Sequence, residues 1–309
     1  MQQPQFQPFR PYPPRRKKPS GWRTSCYGCL TGCGVMLVLS MFMCICGTLT
    51  YIVSPPPTSN ILILGIDNRT DSAEPDSIAR TDSIMILSIN PKKQKVSVLS
   101  IPRDLFIETP NYGYLRVNTI IREAELANEG TGIEELATSL ENTFGIEIDH
   151  YARLNFEAFV DVVDAVGGVK IDVPKRIEDY EYPTEDYGTM YIEFDAGKQK
   201  MDGETALIYA RTRHGDSDYD RAARQQQVIS ALIGKLINPL NVYRWPGLLN
   251  AVWDNVETDM NLGNMIAILP GIGLYGHNPD RFVIDRDYIA SGSTPNVEKM
   301  RPWIESHMK

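Results

Sequence analysis

The fold is decided by the stretch Ser83-Ile-Met-Ile-Leu-Ser-Ile-Asn90, which Pro91-Lys-Lys separates from a second run, Gln94-Lys-Val-Ser-Val-Leu-Ser-Ile101. Apolar runs of this length, bounded by turn residues, predict two strands joined by a tight turn. Upstream lies a third apolar run, Ile61-Leu-Ile-Leu64, which ends at Gly65 and predicts another buried strand. These three segments predict the centre of a β-sheet.

Helical spacing follows these strands along the chain. Apolar residues recur at intervals of three and four, as on the buried face of a helix. This spacing predicts helices over residues 119–127, 133–143, 155–166, 220–237 and 261–269, the last ended by Pro270. Further strands are predicted at 169–173, directly after Gly167-Gly168, and at 281–285. Since strands and helices interleave without a detectable repeat, residues 60–309 are predicted to form one α/β domain with a central mixed sheet covered by helices.

The first 53 residues differ in composition from the rest, because they hold six basic residues, no acidic residue and all five cysteines. Residues 27–53 contain no charge, and a largely apolar segment of this length predicts a transmembrane helix. The basic residues precede it, so the positive-inside rule places a disordered leader, 1–26, in the cytoplasm and the domain after the linker 54–59 outside the cell membrane. A cleaved signal peptide is the alternative.

The remaining residues are acidic. The chain has 31 basic and 39 acidic residues, so residues 54–309 hold 25 basic against 39 acidic ones. General nucleic-acid binding needs a basic face, and this balance argues against it. A small pocket that concentrates a few arginines around an anion is compatible with the same balance.

An arginine-rich segment is the strongest functional signal: Tyr209-Ala-Arg-Thr-Arg-His-Gly-Asp-Ser-Asp-Tyr-Asp-Arg-Ala-Ala-Arg-Gln-Gln-Gln227. The guanidinium group presents a rigid fork of N–H donors that fits phosphate oxygens two at a time. Several such groups close together predict a site for a strongly anionic group, such as a pyrophosphate. A solvated charged loop is the alternative.

The spacing of these arginines favours the anion site. Arg211 and Arg213 follow an apolar run two residues apart, so on a strand both would point to one face. Arg221, Arg224 and Gln225 are three and four residues apart and would share one face of a helix. We therefore expect the strand and the helix to converge on one ligand.

Three short polar clusters flank the predicted strands: Gly65-Ile-Asp67-Asn-Arg69, Arg80-Thr-Asp82-Ser83 and Pro102-Arg103-Asp104. Ligands of α/β sheets bind outside strand ends, where such loops converge. Asp67 and Asp82 offer hard oxygen donors suited to Mg²⁺, which takes one or two carboxylates together with substrate phosphate. Taken singly, each aspartate is better explained as a turn or helix cap, and Arg103 could form a local ion pair with Asp104.

The order of these clusters resembles that of the LytR–CpsA–Psr family over residues 60 to 240. The resemblance rests on Leu64-Gly-Ile-Asp67-Asn-Arg69, Arg80-Thr-Asp82-Ser83, Ser100-Ile-Pro-Arg103-Asp104, Arg116-Val-Asn118, Gly167-Gly-Val169 and Ala210-Arg-Thr-Arg213, followed by Asp220-Arg221-Ala-Ala-Arg224-Gln225-Gln226. It includes the single N-terminal membrane anchor. Each motif is short, but so many in one order make a specific signal.

The resemblance implies a membrane-anchored phosphotransferase of the bacterial cell envelope, with an α/β/α sandwich fold. Such enzymes move a glycopolymer, such as a teichoic acid or a capsular polysaccharide, from a polyprenyl-pyrophosphate carrier to peptidoglycan. By motif position, Asp67 and Asp82 would bind Mg²⁺, with Mn²⁺ as a substitute. The pyrophosphate would be held by Arg69, Arg80, Arg103, Arg211, Arg213, Arg221, Arg224 and Gln225. Catalytic roles would fall to Asp82, Arg103 and Asp104, with either aspartate assisting in removal of the acceptor proton.

The predicted helix 220–237 is polar in its first turn and apolar afterwards, so the lipid tail of the carrier would lie along Val228, Ile229 and Leu232. Packing of these residues in the core is the alternative. The acidic, tyrosine-rich segment 179–188 matches no motif of the family, and a surface loop is its simpler interpretation. Two other functions stay open at this point: hydrolysis of a polyprenyl pyrophosphate, and a non-enzymatic envelope regulator or scaffold.

Overall fold

The computed structural model describes residues 42, 46–66, 81–184, 188–212, 218–236, 247–248, 251, 253 and 255–309. The chain divides into two units, Met1–Val53 and Ser54–Lys309. In the first unit, residues 46–53 are helical. Within the described residues, no helix combines the length and the apolar character needed to cross a bilayer. The leader and most of the predicted membrane span lie outside the described residues, so both stay predictions.

The second unit contains a six-stranded sheet among its described residues, in the order β11-β6-β1-β2-β3-β12. The strands, in chain order, are β1 (Ser59–Ile66), β2 (Thr81–Asn90), β3 (Lys95–Ile101), β4 (Phe106–Thr109), β5 (Gly113–Arg116), β6 (His150–Leu154), β7 (Val169–Val173), β8 (Ile177–Pro183), β9 (Thr189–Phe194), β10 (Gly197–Met201), β11 (Val256–Thr258) and β12 (Asp280–Val283). Strand β1 is parallel to β6 and β3 is parallel to β12, whereas the other neighbours are antiparallel. The predicted mixed central sheet is confirmed, and β2–β3 is the predicted hairpin.

Helices cover both faces of this sheet. They are α1 (Val117–Ala127), α2 (Gly132–Phe144), α3 (Phe156–Ala165), α4 (Gly203–Arg211), α5 (Asp218–Leu236), α6 (Leu262–Tyr275) and α7 (Val297–His307). Successive strand residues point to opposite faces. Leu62 therefore packs in a core with α1, α2 and α7, whereas Ile61 packs in a second core with α5 and α6.

A third core lies beside the main sheet, between the pairs β7–β10 and β8–β9 and the helices α3, α4 and α5. The predicted helix stop at Gly167-Gly168 is confirmed, since both glycines have a positive φ directly after α3. At Gly168 a Cβ atom would also lie only 2.5 Å from the carbonyl oxygen of Met201. Only glycine fits this left-handed position and this close contact with β10.

Two predictions about local structure are wrong, and tertiary packing explains both. Arg211 was expected on a strand but is the last residue of helix α4. The side chain of Asp202 caps this helix by accepting from the Thr205 amide (2.9 Å), and the buried residues Ala206, Tyr209 and Ala210 are three and four apart. The apolar run before Arg211 is therefore the buried face of a helix.

Pro270 was expected to end a helix at residue 269, but it lies inside α6, which continues to Tyr275. Proline removes one main-chain hydrogen bond and strains the preceding turn. The residues after it are apolar, and Ile272 is buried in the core against the sheet. This burial stabilises the last turns of the helix beyond the proline.

One edge of the central sheet collects the chain segments that matter for function. Strand β2 is antiparallel to β1 and β3, and β12 is parallel to β3, so β1, β3 and β12 end at the edge where β2 begins. Ile66 pairs with Thr81 there, and Val283 pairs with Ser100. The residues that follow β3 and β12, and those that begin β2, are consequently neighbours.

Candidate active site

A cavity of about 310 Å³ lies at this edge of the sheet, and we call it the active-site pocket. Its walls come from the start of β2, the turn after β3, the first two turns of α5 and the segment 286–293. The polar residues that line it are Asp82, Ser83, Ser100, Arg103, Asp104, Tyr219, Arg221, Gln225, Arg286 and Ser293. The predicted catalytic residues Asp82, Arg103 and Asp104 are thus brought together in one pocket.

Arg103 lies between two carboxylates in this pocket. Its Nη1 donates to Asp82 Oδ1 at 2.7 Å, and its Nε lies 3.5 Å from Asp104 Oδ2. The turn that carries Arg103 is fixed by main-chain bonds, because its carbonyl accepts from the Asn118 amide (3.2 Å) and Leu105 N donates to Pro102 O (3.2 Å). The side chains of Asp82 and Arg103 are 26% and 23% exposed, so the pair is screened less than a surface pair but is still open to a ligand.

Helix α5 supplies the opposite wall. Arg221 is 7% exposed and lines the pocket. One turn later, Gln225 accepts a hydrogen bond at its Oε1 from Ser83 Oγ (3.1 Å), which ties the helix to the start of β2. The predicted placement of Arg221 and Gln225 beside the strand-end residues agrees with the structure.

Arg224 does not line the pocket. It is 5% exposed, and its Nε donates to the carbonyl of Tyr209 at 3.1 Å while its Nη2 donates to the carbonyl of Thr212. These carbonyls belong to the C-terminal end of α4, where main-chain acceptors lack partners within the helix. In this structure Arg224 therefore caps α4 from inside the protein.

Arg211 is likewise engaged by protein groups. Its guanidinium lies 3.9 Å from the centre of the Phe156 ring, and its Nη1 donates to the Tyr182 hydroxyl at 3.4 Å. Burial raises the pKa of Tyr182 above its ordinary value, while the neighbouring Arg211 opposes that rise. The phenol is consequently a neutral partner for the arginine across the physiological range.

The acidic, tyrosine-rich segment is not a surface loop over its first residues, which is a further correction. Residues 179–183 belong to strand β8, and Asp179 is 1% exposed. Its Oδ2 accepts from the hydroxyl of the equally buried Thr212 at 2.6 Å. The charge of Asp179 thus serves an internal contact that fixes the chain after α4.

Four predicted ligand residues, Asp67, Arg69, Arg80 and Arg213, lie outside the described residues, so their roles stay predictions. Within the described part of the chain, no group of three or more His, Cys, Asp or Glu side chains is arranged to hold a metal. The pocket nevertheless contains two carboxylates, of Asp82 and Asp104, beside serine hydroxyls. This set of hard oxygen donors fits Mg²⁺, which uses few protein carboxylates and completes its shell with water and phosphate.

The three residues predicted to contact a lipid tail have different surroundings. Val228 is fully buried in the core between α4, α5 and strands β7–β9. Ile229 and Leu232 are only partly buried, and they pack against two different cores. The alternative of core packing therefore holds for Val228 in this structure.

The sequence reasoning missed the wall formed by residues 286–293. It places Arg286, Ile289 and Ser293 against the pocket. The signal that would have found it is the strand-end rule, because Arg286 directly follows the predicted strand 281–285.

A mixed α/β domain with several arginines in a pocket at the strand ends is suited to binding an anion, and comparison with known proteins identifies the family. The model of the LytR_cpsA_psr family matches residues 53–275, so this chain belongs to that family. It is 30% identical over 213 residues to the polyisoprenyl-teichoic acid–peptidoglycan teichoic acid transferase TagT of Bacillus subtilis, a match that covers 69% of this chain and 63% of TagT. It is 32% identical to the TagU transferase of Oceanobacillus iheyensis, over 68% of this chain and 61% of TagU.

Solved structures agree with the fold. The crystal structure of B. subtilis TagV superposes with a TM-score of 0.65 at 26% identity, covering 82% of this chain and 97% of that one. A structure of TagT bound to LI-WTA superposes with a TM-score of 0.60 at 24% identity, over 82% of this chain and 91% of that chain, and supports the fold. The matched sequence regions span less than two thirds of the TagT and TagU relatives, at 63% and 61%.

Proposed function

We propose that this protein transfers a glycopolymer, such as a teichoic acid or a capsular polysaccharide, from a polyprenyl-pyrophosphate carrier to peptidoglycan. The observation that carries the proposal is Arg103, which lies between Asp82 and Asp104 in a pocket shared with Arg221. Family membership and the transferase names of relatives support the choice of substrates.

In the proposed reaction, a hydroxyl oxygen of a peptidoglycan sugar attacks the phosphorus nearest the glycan. The bond from that phosphorus to the bridging oxygen breaks, and polyprenyl phosphate leaves with the electron pair. The glycan stays attached to the acceptor through a phosphodiester, and the hydroxyl proton passes to a carboxylate, Asp104 or Asp82. Charge neutralisation and positioning dominate catalysis of phosphoryl transfer, and Arg103 and Arg221 provide both.

Asp82 and Asp104 are placed to orient the arginines beside them. Asp82 holds one N–H of Arg103 at 2.7 Å, and Asp104 lies near both Arg103 (3.5 Å) and Arg116 (3.9 Å). Asp67 and Asp82 would hold Mg²⁺, or Mn²⁺ in its place. When bound, the ion would neutralise phosphate charge as a Lewis acid.

The carrier lipid and the membrane complete the proposal. Ile229 and Leu232 keep partial exposure on α5, beyond the polar first turns, and we assign them to the polyprenyl chain. Residues 27–53 would cross the cell membrane once, with the basic leader in the cytoplasm and the domain on the outer side. This topology would hold the pocket near a carrier whose lipid tail lies in the same bilayer.

The test uses the full chain in detergent with a polyprenyl-pyrophosphate-linked saccharide and peptidoglycan oligomers, with and without Mg²⁺. Mass spectrometry should find a phosphodiester-linked conjugate that requires the metal and is lost in Asp82→Ala. Asp172→Ala removes an exposed carboxylate on β7 and is the matched control. Free phosphorylated saccharide without conjugate would instead indicate a hydrolase, and a fully active Asp82→Ala protein would refute the proposed site.

A further inference from the structure

A second cavity, of about 620 Å³, lies directly beside the active-site pocket, and we call it the hairpin groove. Its lining includes Phe106, Glu108, Tyr114, Asn142, Thr143 and Thr294. The two cavities are contiguous along the chain at two places, since Leu105 and Ser293 line the pocket and the next residues, Phe106 and Thr294, line the groove. A molecule bound in the groove would consequently lie next to the reacting groups.

Side chains also connect the two cavities. Arg116 lies 3.9 Å from Asp104 Oδ1 in the pocket, and its guanidinium is 5.4 Å from the centre of the Phe106 ring in the groove. Phe106 and Arg116 are cross-strand partners in the β4–β5 hairpin. Through Arg116, the hairpin that lines the groove therefore contacts Asp104, one of the two carboxylates proposed to take the acceptor proton.

The hairpin presents one face to the groove. Glu108 pairs with Tyr114, so these two lie on the same face as Phe106, while Ile107 points the other way and is 2% exposed in the core. The Tyr114 side chain is 63% exposed and, within the described part of the chain, hydrogen-bonds no other protein group. Core packing does not account for this tyrosine, although it accounts for the next residue, Leu115, which packs against the core.

Hydrogen bonds at the turn fix the backbone of the hairpin, and with it the position from which Tyr114 projects. At its turn, the Asn111 amide and side chain donate to the two carboxylate oxygens of Glu135 at 3.0 and 2.6 Å, and Glu135 is 7% exposed on α2. Thr109 Oγ1 donates to the Gly113 carbonyl at 2.9 Å, and Gly113 has a φ of 70°. Preorganised aromatic side chains lose little entropy on binding.

The chemistry of the lining selects the class of ligand. Among the described residues, the groove contains one carboxylate, an amide, hydroxyls and two aromatic rings, but no lysine or arginine. The hairpin residue Arg116 does not line the groove and lies 3.9 Å from Asp104, so the groove lining itself offers no cation to a phosphate-rich molecule, whereas the active-site pocket next to it has three arginines. Ring faces with a few convergent hydrogen-bonding groups suit an uncharged sugar, and the volume lies within the range of about 300–1,000 Å³ typical of ligand sites.

We infer that the hairpin groove binds an uncharged saccharide chain, with Tyr114 as its main contact, and thereby positions the acceptor sugar at the active-site pocket. The identification of this saccharide as the acceptor rests on the proposed function. Binding of the saccharide itself does not. Division of charge between the two cavities would keep the anionic donor and the neutral acceptor in separate subsites.

A binding experiment tests the groove independently of catalysis. Full-length protein in detergent is titrated with the tetrasaccharide of N-acetylglucosamine and followed by ligand-observed NMR. We expect saturable binding that Tyr114→Ala weakens at least about tenfold, as for a central contact. Tyr114→Phe should retain most of the affinity because the ring remains. Tyr180→Ala is the matched control, since Tyr180 is 68% exposed on the β8–β9 hairpin and lies in neither cavity.

A kinetic experiment tests the assignment to the acceptor. Tyr114→Ala should raise the KM for the acceptor saccharide about tenfold and leave the KM for the lipid-linked donor unchanged. If the wild type did not bind the saccharide, or if Tyr114→Ala bound it with equal affinity, the proposal that the groove is a saccharide site would be wrong. Binding through Tyr114 without any transfer would support the groove and contradict the proposed function. Transfer by Tyr114→Ala with an unchanged KM for the acceptor would support the proposed function and contradict the role of the groove as the acceptor site.

Discussion

The strand-end wall of the pocket and the junction of α4 with α5 use arginine in opposite ways. At the strand ends, Arg103 is 23% exposed and is held by the carboxylate of Asp82, within a cavity. At the helix junction, Arg224 is 5% exposed and donates to two main-chain carbonyls. A carboxylate partner beside a cavity keeps the guanidinium at a place that a ligand can reach, whereas carbonyls at a helix end use the arginine as a cap. An arginine pattern thus shows where cations are needed but not whether a ligand or the fold needs them.

The largest effect that tests this contrast between Arg103 and Arg224 is the loss of transferase activity expected in Arg103→Ala. Removal of one electrostatic contact to a transition state typically costs about 10²–10³ in kcat. We expect a loss of this size in conjugate formation, with an unchanged midpoint of urea unfolding. Arg281→Ala is the control, because Arg281 is an exposed arginine on β12 that does not line the pocket. Normal turnover by Arg103→Ala would remove the distinction between the two regions.

The next effect is loss of stability in Arg224→Ala. The substitution leaves two buried carbonyls at the end of α4 without their donor, and each unsatisfied group costs about 1–3 kcal/mol. We expect the free energy of unfolding to fall by about 2–4 kcal/mol in urea titrations. Arg224→Lys should not restore it, because a lysine cannot reach both carbonyls with a planar fork. If stability stayed the same and only pyrophosphate binding were lost, Arg224 would be a ligand contact after all.

A smaller effect is expected at the rim of the pocket. Arg286 is exposed, lines the pocket and makes no ion pair within the described residues. Rim charges mainly change association rate and its salt dependence. Arg286→Ala should therefore raise the KM for the lipid-linked donor by about threefold at low salt, and less at high salt. The same assay on Arg281→Ala should show no change, and an equal change in both variants would point to net charge alone.

The smallest effect concerns the other end of α4. Asp202 caps this helix through Thr205, and these hydrogen bonds lower the pKa of its carboxyl group below the ordinary value. Asp202→Ala should reduce the free energy of unfolding by about 1 kcal/mol near neutral pH. Because the pKa is lower in the folded state, the charged cap stabilises the fold above the unfolded-state pKa, and this contribution disappears as the pH falls through the folded-state pKa.

Asp202→Asn separates the cap from the charge. Asparagine caps a helix about as well as aspartate but does not titrate. Its unfolding free energy should match that of the wild type near neutral pH and lack the acid-dependent loss. A loss near neutral pH as large as that of Asp202→Ala would show that the charge of Asp202, and not its hydrogen bonds, stabilises α4 and the arginine cap at its far end.

Much of the fold could be predicted because its signals are local. The β2–β3 hairpin, helices α1 and α2, and the glycine stop after α3 follow from apolar spacing and turn residues. Two of the errors, at Arg211 and at Pro270, have a common cause. The run before Arg211 and the turns after Pro270 have weak or contradictory local signals, and burial against a distant partner decided their conformation. Burial between elements far apart in the chain cannot be read from a short window of residues.

For the site, the sequence by itself determined the residue types: aspartates and arginines at strand ends, and an arginine-rich start of α5. It also determined the acidic balance of residues 54–309 and the uncharged segment before them. Only the tertiary structure decided which arginines share a cavity. Arg103, Arg221 and Arg286 meet because three non-adjacent segments end at one sheet edge, whereas Arg224, one helical turn from Arg221, is buried under α4. Side-chain direction depends on packing between elements, and so the division between ligand contacts and internal caps appears only in the folded chain.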